Sequence, residues 1–176
     1  MLGRALVVVA VLASSARADD TRYFGVKATL GVYDGIGAGI RVGDSRVGVH
    51  VIGAWQPLFV TSQTDDLSTP DIDVYSTLQA NADVYVLFTE PTPRASIGMT
   101  AGYKGSTHLG HGGGIGFYVA IDAHQRTSYF LIGGITWFPD GEAHLRDKKS
   151  IAMDREFAFP GPALNAGVNL GIDFAP

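Results

Sequence analysis

The chain has 176 residues, of which 13 are Lys or Arg and 17 are Asp or Glu, and its formal net charge is −4. This mild acidity argues against a nucleic-acid partner, and the absence of cysteine excludes a disulfide framework and thiolate metal sites. No run of about 18 apolar residues is present, so we expect no membrane-spanning helix.

Residues 1–18 have the order of a secretory signal peptide. Arg4 supplies a positive charge, an apolar run follows it, and A-R-A at positions 16–18 is a small-residue cleavage site. The sequence therefore predicts cleavage before Asp19. We expect residues 19–176 to form one domain, as their length suggests.

After the leader, apolar residues alternate with small or polar residues, and this period of two is typical of β-strands. The alternation occurs in eight segments, at residues 24–32, 36–42, 47–55, 74–88, 95–104, 115–122, 129–138 and 164–174. The longer loops are predicted at 56–73, 105–114 and 139–162. Within the last of these, residues 142–146 allow one or two helical turns.

The composition of the two strand faces predicts which face is buried. One face is aliphatic and aromatic, whereas the other carries glycine, hydroxyl, amide and single charged residues. A dry core could not hold such charges without strict pairing, but the interior of a narrow membrane barrel could. We therefore predict an all-β fold, an eight-stranded antiparallel transmembrane β-barrel. The charges predicted to form a network in its lumen are Lys27, Arg41, Asp83, Asp122 and Asp173.

Aromatic residues on the apolar face fall near the strand ends, as in the interfacial belts of membrane barrels. If both termini lie in the periplasm, the predicted periplasmic girdle consists of Phe24, Phe88, Tyr129 and Phe174. The predicted outer girdle consists of Trp55, Tyr103, Phe117 and Trp137.

The last segment has alternating apolar residues that lead to an aromatic residue, namely Val168, Leu170, Ile172 and Phe174. In this respect, and in its overall pattern, the chain resembles small outer-membrane β-barrel proteins such as the OmpA transmembrane domain and OmpX. It departs from them because Ala175 and Pro176 follow the aromatic residue. The resemblance implies residence in the cell outer membrane among lipid and lipopolysaccharide. It also implies transient contact with periplasmic chaperones and the barrel-assembly machinery.

Three functions are considered for such a barrel. The first is a structural or surface-interaction role through loops 56–73 and 139–162. The second is a narrow passive pore along the lumen side that is lined by glycine. The third is a lipid A-modifying enzyme, which is disfavoured because Ser76 on the lipid face has no histidine partner there. A soluble periplasmic barrel is a further alternative.

No cofactor, metal or catalytic site is predicted. His108 and His111 have a spacing that one metal could bridge, but a third ligand is lacking. The acidic loop residues Asp65, Asp66, Asp71 and Asp73 are interpreted as solvated. The glycine-rich residues 110–116 have no following Lys-Ser or Lys-Thr, and they are interpreted as a flexible turn. We expect a monomer.

Overall fold

A computed structural model describes residues 23–44, 46–63, 69, 71–89, 95–121, 127–151, 155–157 and 161–174. These residues contain nine strands and one helix. They are β1 (Tyr23–Gly31), β2 (Ile36–Gly43), β3 (Val47–Gln63), β4 (Asp71–Leu87), β5 (Ser96–Ser106), β6 (Gly110–Ile121), β7 (Thr127–Trp137), α1 (Gly141–Lys149), β8 (Glu156–Phe157) and β9 (Leu164–Phe174). The predicted leader, residues 1–18, lies outside the described residues.

Eight of the strands form a closed antiparallel ring. The order along the sheet is β2-β1-β9-β7-β6-β5-β4-β3, and β2 also pairs with β3. The short β8 joins only the end of β3, through Ser62 and Gln63. The prediction of an all-β chain with eight antiparallel strands is therefore confirmed, and each alternating segment corresponds to one strand of the ring.

The ring closes with a stagger that inclines its strands. One row of paired positions runs through Phe174, Val26, Ile40, Val51, Ala82, Tyr103, Gly113, Trp137 and Leu164. The row starts on β9 at Phe174 and returns to β9 at Leu164, a displacement of ten residues. Closed sheets with such a stagger have strands tilted by roughly 35–45°. Ten residues of strand, at ~3.3 Å each, then rise by about 25 Å along the ring axis.

Three local predictions differ from the structure. Eleven of the eighteen residues of the predicted loop 56–73 are strand, because β3 continues to Gln63 and β4 begins at Asp71. The glycine-rich residues 110–116 belong to β6 and are not a flexible turn. The predicted helical turns are a full helix, α1, with Glu142 in its first turn and Lys148 and Lys149 in its last. These charges match the helix dipole.

The extension of β3 and β4 carries a second apolar core. The ring pairing of β3 with β2 ends at Trp55, and that of β4 with β5 ends at Gln79. Beyond these points, a buried cluster consists of Leu58, Val60, Leu109, Phe138 and Leu145. We call residues 56–63, residues 71–77, α1 and β8 together the cap. The cap explains why 56–63 is strand, because its alternate residues Leu58 and Val60 pack under α1.

Large apolar side chains face outward from the ring, and its interior holds charged residues beside an apolar cluster that includes Leu87, Phe130 and Ile132. The large apolar side chains of the strands, such as Val26, Phe117 and Leu170, are exposed on the outside. The buried inner face includes three cations, Lys27, Arg41 and Lys104. No helix among the described residues is both long and apolar enough to cross a membrane.

Candidate functional site

Four polar side chains meet inside the ring, toward the end opposite the cap. The Arg41 guanidinium donates to Asp173 at 2.8 Å and to the Tyr118 hydroxyl at 3.3 Å. The Lys27 ammonium lies 2.9 Å from Nδ1 of His50 and 4.0 Å from Asp173. We call Lys27, Arg41, His50 and Asp173 the lower cluster. Their side chains point inward at these positions, and the ring brings together residues as far apart in the chain as Lys27 and Asp173.

Aromatic rings enclose the lower cluster. The imidazole of His50 stacks on Tyr85 with a centroid distance of 4.7 Å. The Lys27 ammonium lies 3.5 Å from the centre of the Phe130 ring, a cation–π contact. Because an ammonium has only donors, its bond to His50 requires an accepting ring nitrogen. The cluster is therefore a packed, hydrogen-bonded layer across the ring.

A second polar cluster lies nearer the cap and is centred on Lys104. Its ammonium lies 2.6 Å from Asp34 and 2.7 Å from Asp83, and 4.1 Å from the centre of the Tyr33 ring. Asn81 donates to Asp34 at 3.2 Å. We call Asp34, Asn81, Asp83 and Lys104 the upper cluster. All four side chains are buried, so the carboxylates have exchanged water for the ammonium and the amide.

Asp34 reaches this cluster because the turn between β1 and β2 folds into the ring. Side chains of two further strands, β3 and β9, also hold the turn there. Gln56 donates to the carbonyl of Val32 at 2.6 Å, and the Asn169 side chain accepts from the Asp34 amide at 3.0 Å and donates to the Gly35 carbonyl at 3.2 Å. Gly35 has a φ of 82°, which favours glycine. The sequence indicated a tight turn here, but not its inward direction.

Glycines on the facing strands make room for Tyr33. A Cβ at Gly114 would lie 2.8 Å from the Tyr33 hydroxyl and 2.7 Å from Cε of Lys104. A Cβ at Gly134 would lie 2.8 Å from the Tyr33 ring. The inner glycines of β6 and β7 therefore mark where the inserted turn packs. Together, the lower cluster and the inserted turn fill the ring at two levels in the described part of the chain, and the cap core lies beyond them.

The predicted lumen charges are divided between the two clusters. Lys27, Arg41 and Asp173 lie in the lower cluster, and Asp83 lies in the upper one. Asp122 is outside the described residues. The predicted network lacks four residues of the two clusters, namely Asp34, His50, Asn81 and Lys104. For His50 and Lys104 the available signal was their place on the inward face.

The predicted girdle residues are exposed on the outside of the ring. Four of them lie at the end of the ring opposite the cap, each within three residues of a strand end. They are Phe24, Phe88, Tyr129 and Phe174. Tyr103 and Trp137 share one row through Gly113 at the cap end, where Trp55 is the last β3 residue paired with β2. Phe117 lies apart, four residues beyond Gly113 toward the opposite end.

The two histidines of the predicted H-x-x-H pair have separate partners. The His108 ring stacks on Tyr75, with centroids 6.3 Å apart, whereas Nδ1 of His111 is 2.5 Å from the Tyr103 hydroxyl. Burial, reinforced by Lys149 and Lys148, lowers the pKa of His108 below its ordinary value. In the described part of the chain, no three His, Asp or Glu side chains are grouped to hold a metal ion.

Two other candidate features have local partners. Asp71 forms an ion pair with Arg155, which also lies 3.9 Å from Asp73. The remaining acidic loop residues, Asp65 and Asp66, lie outside the described residues. The Ser76 hydroxyl, considered above as a nucleophile, accepts a hydrogen bond from the Trp55 indole at 2.5 Å.

Comparison with known proteins gives no relative to guide the assignment. The chain matches no protein-family model, no curated protein sequence and no solved structure.

Proposed function

We propose that the chain is an eight-stranded β-barrel protein of the outer membrane, and that it acts through the cap rather than through its lumen. The observation that carries the proposal is the inverted polarity of the ring. Apolar side chains cover the outside, while Lys27, Arg41 and Lys104 are buried inside with carboxylate partners. Exposed apolar surface on this scale is stable in lipid and unfavourable in water.

The dimensions of the ring support this placement. A ring strand of ten residues at this tilt rises by about 25 Å, which is close to the apolar band of outer-membrane barrels. Aromatic residues lie at both ends of that height, where they would meet the two interfaces. The signal segment 1–18 and the apolar alternation of β9 agree with export and with recognition by the assembly machinery. Lipid and lipopolysaccharide would then surround the ring.

The filled interior favours a role for the cap over a pore. The inserted turn is bonded to four strands of the ring, and eight strands leave little more space than side chains occupy. The cap has its own core under α1 and projects beyond the ring. A compact structure of this kind, held at the membrane surface, suits binding of a partner or support of the envelope.

Membrane residence and conductance test the proposal together. The full chain is expressed with its leader, the membranes are extracted with alkaline carbonate, and the purified protein is added to a planar bilayer. We expect the chain to stay in the membrane fraction and, when folded, to give no conductance steps. Release into the aqueous fraction would contradict the membrane assignment, and discrete steps would contradict the filled lumen.

A further inference from the structure

The outward face of the β3–β4 hairpin remains apolar beyond the ring. Phe59 and Val74 are paired across the two strands, and Ile72 lies two residues before Val74 on β4, farther from the ring. Phe59 is 66% exposed, Val74 58% and Ile72 69%. With Leu78 and Trp55, which are also exposed at the rim of the ring, they form a continuous surface that we call the apolar strip.

The strip rises above the part of the ring that lipid would cover. Phe59 lies four residues beyond Trp55 on β3, which is about 10 Å at the strand tilt given above. The opposite face of the same hairpin is covered, because Leu58 and Val60 lie in the cap core. One face of the hairpin is therefore packed against the cap core. The other face is exposed, at a height above the lipid tails.

The strip is largely apolar, although Ser76 lies between Val74 and Leu78 on the same face and Thr61 pairs with Ile72. The Trp55 indole already donates to Ser76, so its polar group needs no external acceptor. The nearest acidic residues, Asp71 and Asp73, belong to the other face of β4, where they lie beside Arg155. Like charges would therefore not oppose one another if two strips met.

We propose that the occupant of the apolar strip is a second copy of this chain; this inference rests on the membrane placement proposed above. All copies in one membrane share the same orientation and height. A two-fold axis along the membrane normal therefore brings strip against strip, an isologous contact. Five side chains exposing on the order of 100 Å² each bury about 1,000 Å² in the pair, the lower bound for a specific interface. The proposal replaces the expectation of a monomer.

The absence of native cysteine allows a direct test by cross-linking. Val74→Cys is placed in the strip, and Val168→Cys is the matched control, because Val168 is 54% exposed on the ring surface far from the hairpin. Membranes that contain each full-chain variant are oxidised and run on non-reducing gels. We expect Val74→Cys to form a disulfide-linked dimer and Val168→Cys to remain at background.

A second measurement covers the case in which the two introduced thiols of Val74→Cys do not meet in bonding geometry. Energy transfer between donor-labelled and acceptor-labelled chains in vesicles gives a dimer dissociation constant, which Phe59→Ala should raise about tenfold or more. Phe117→Ala is the control, because Phe117 is similarly exposed, at 68%, but lies on the ring. Folding of each variant is checked by its gel mobility before and after heating.

Membrane association, measured by flotation with the vesicles, separates the two proposals. Floating protein that shows neither cross-linking nor energy transfer would overturn the dimer and leave the membrane barrel standing. Equal effects of Phe59→Ala and Phe117→Ala would also overturn it, because contact would not then be specific to the strip. Protein that does not float would contradict the membrane placement itself.

Discussion

Removing the Lys104 ammonium is expected to be among the most damaging single changes in the ring. Asp34 and Asp83 lie within 2.7 Å of that nitrogen and are buried, so Lys104→Met leaves two carboxylates without their cation. Loss of one partner from a buried ion pair costs about 3–5 kcal/mol. Adding Asp34→Asn and Asp83→Asn removes the orphaned charges, and this triple variant should recover at least half of the loss.

The free energy of unfolding is measured by urea titration in lipid vesicles, with the fluorescence of Trp55 and Trp137 as the signal. Asp83→Asn alone is the control that keeps the ammonium with one carboxylate, and we expect it to cost less than Lys104→Met. A loss below about 1 kcal/mol for Lys104→Met would show that the upper cluster is hydrated rather than desolvated. A triple variant no more stable than Lys104→Met would refute the assignment of the loss to unpaired charge.

Three further predictions concern the inserted turn and the cap. Gly134→Ala should destabilise the ring by about 1–3 kcal/mol, because its Cβ would overlap the Ile115 carbonyl oxygen and lie 2.8 Å from the Tyr33 ring; at Gly133 the nearest atom is 3.9 Å away, so Gly133→Ala should be neutral in the same titration. Leu145→Ala should cost the cap about 2–5 kcal/mol and expose α1 amides to hydrogen exchange while the ring amides stay protected; equal exchange in both would refute a separate cap core. The lowered pKa of His108 favours its neutral form in the folded state. The free energy of unfolding should therefore be highest above the ordinary pKa of 6.5, and it should fall as the pH drops from there through the lowered pKa. His108→Gln should flatten this dependence of the urea midpoint on pH, and an unchanged slope would contradict it.

The eight strands could be predicted because the polarity of each strand's own residues follows the environment of its two faces. Along β9, the outward residues Val168 and Leu170 are apolar, while the inward Asn169 and Asp173 are polar. Burial alternates along the ring strands because only their inner face is covered, by side chains from across the ring. The direction of burial could also be argued, because a charge such as Lys27 cannot face an unpaired dry core.

The inserted turn could not be predicted, because its cause lies far away in the chain. Asp34-Gly35 satisfies the local rules for a tight turn in either direction. Its inward direction depends on Lys104, which is 70 residues away, and on Asn169, which is 135 residues away. Gly114 and Gly134 leave the space that Tyr33 of this turn occupies. In the sequence alone, without the pairing of the strands, these glycines indicate only flexibility.

The cap was missed because its apolar residues are few and dispersed. Leu145 is the single large apolar residue within α1, and a nine-residue helix has little periodicity to detect. On β3, Leu58 and Val60 alternate with Phe59, but flanking Gln56 and Gln63 give the segment a polar appearance. The core forms only when Leu145, Leu58 and Val60 meet, and no one segment encodes that contact.

The inverted polarity of the ring is tested most directly by asking what surrounds β9. A spin label is attached at Leu170→Cys, an outward position, in protein isolated in lipid vesicles, and its collision rates with oxygen and with a water-soluble nickel complex are compared. A label that meets oxygen freely and the nickel complex rarely is the expected result, because oxygen concentrates in lipid. Ready access of the nickel complex to a folded, labelled chain would mean that water surrounds the ring, and the membrane assignment would be wrong.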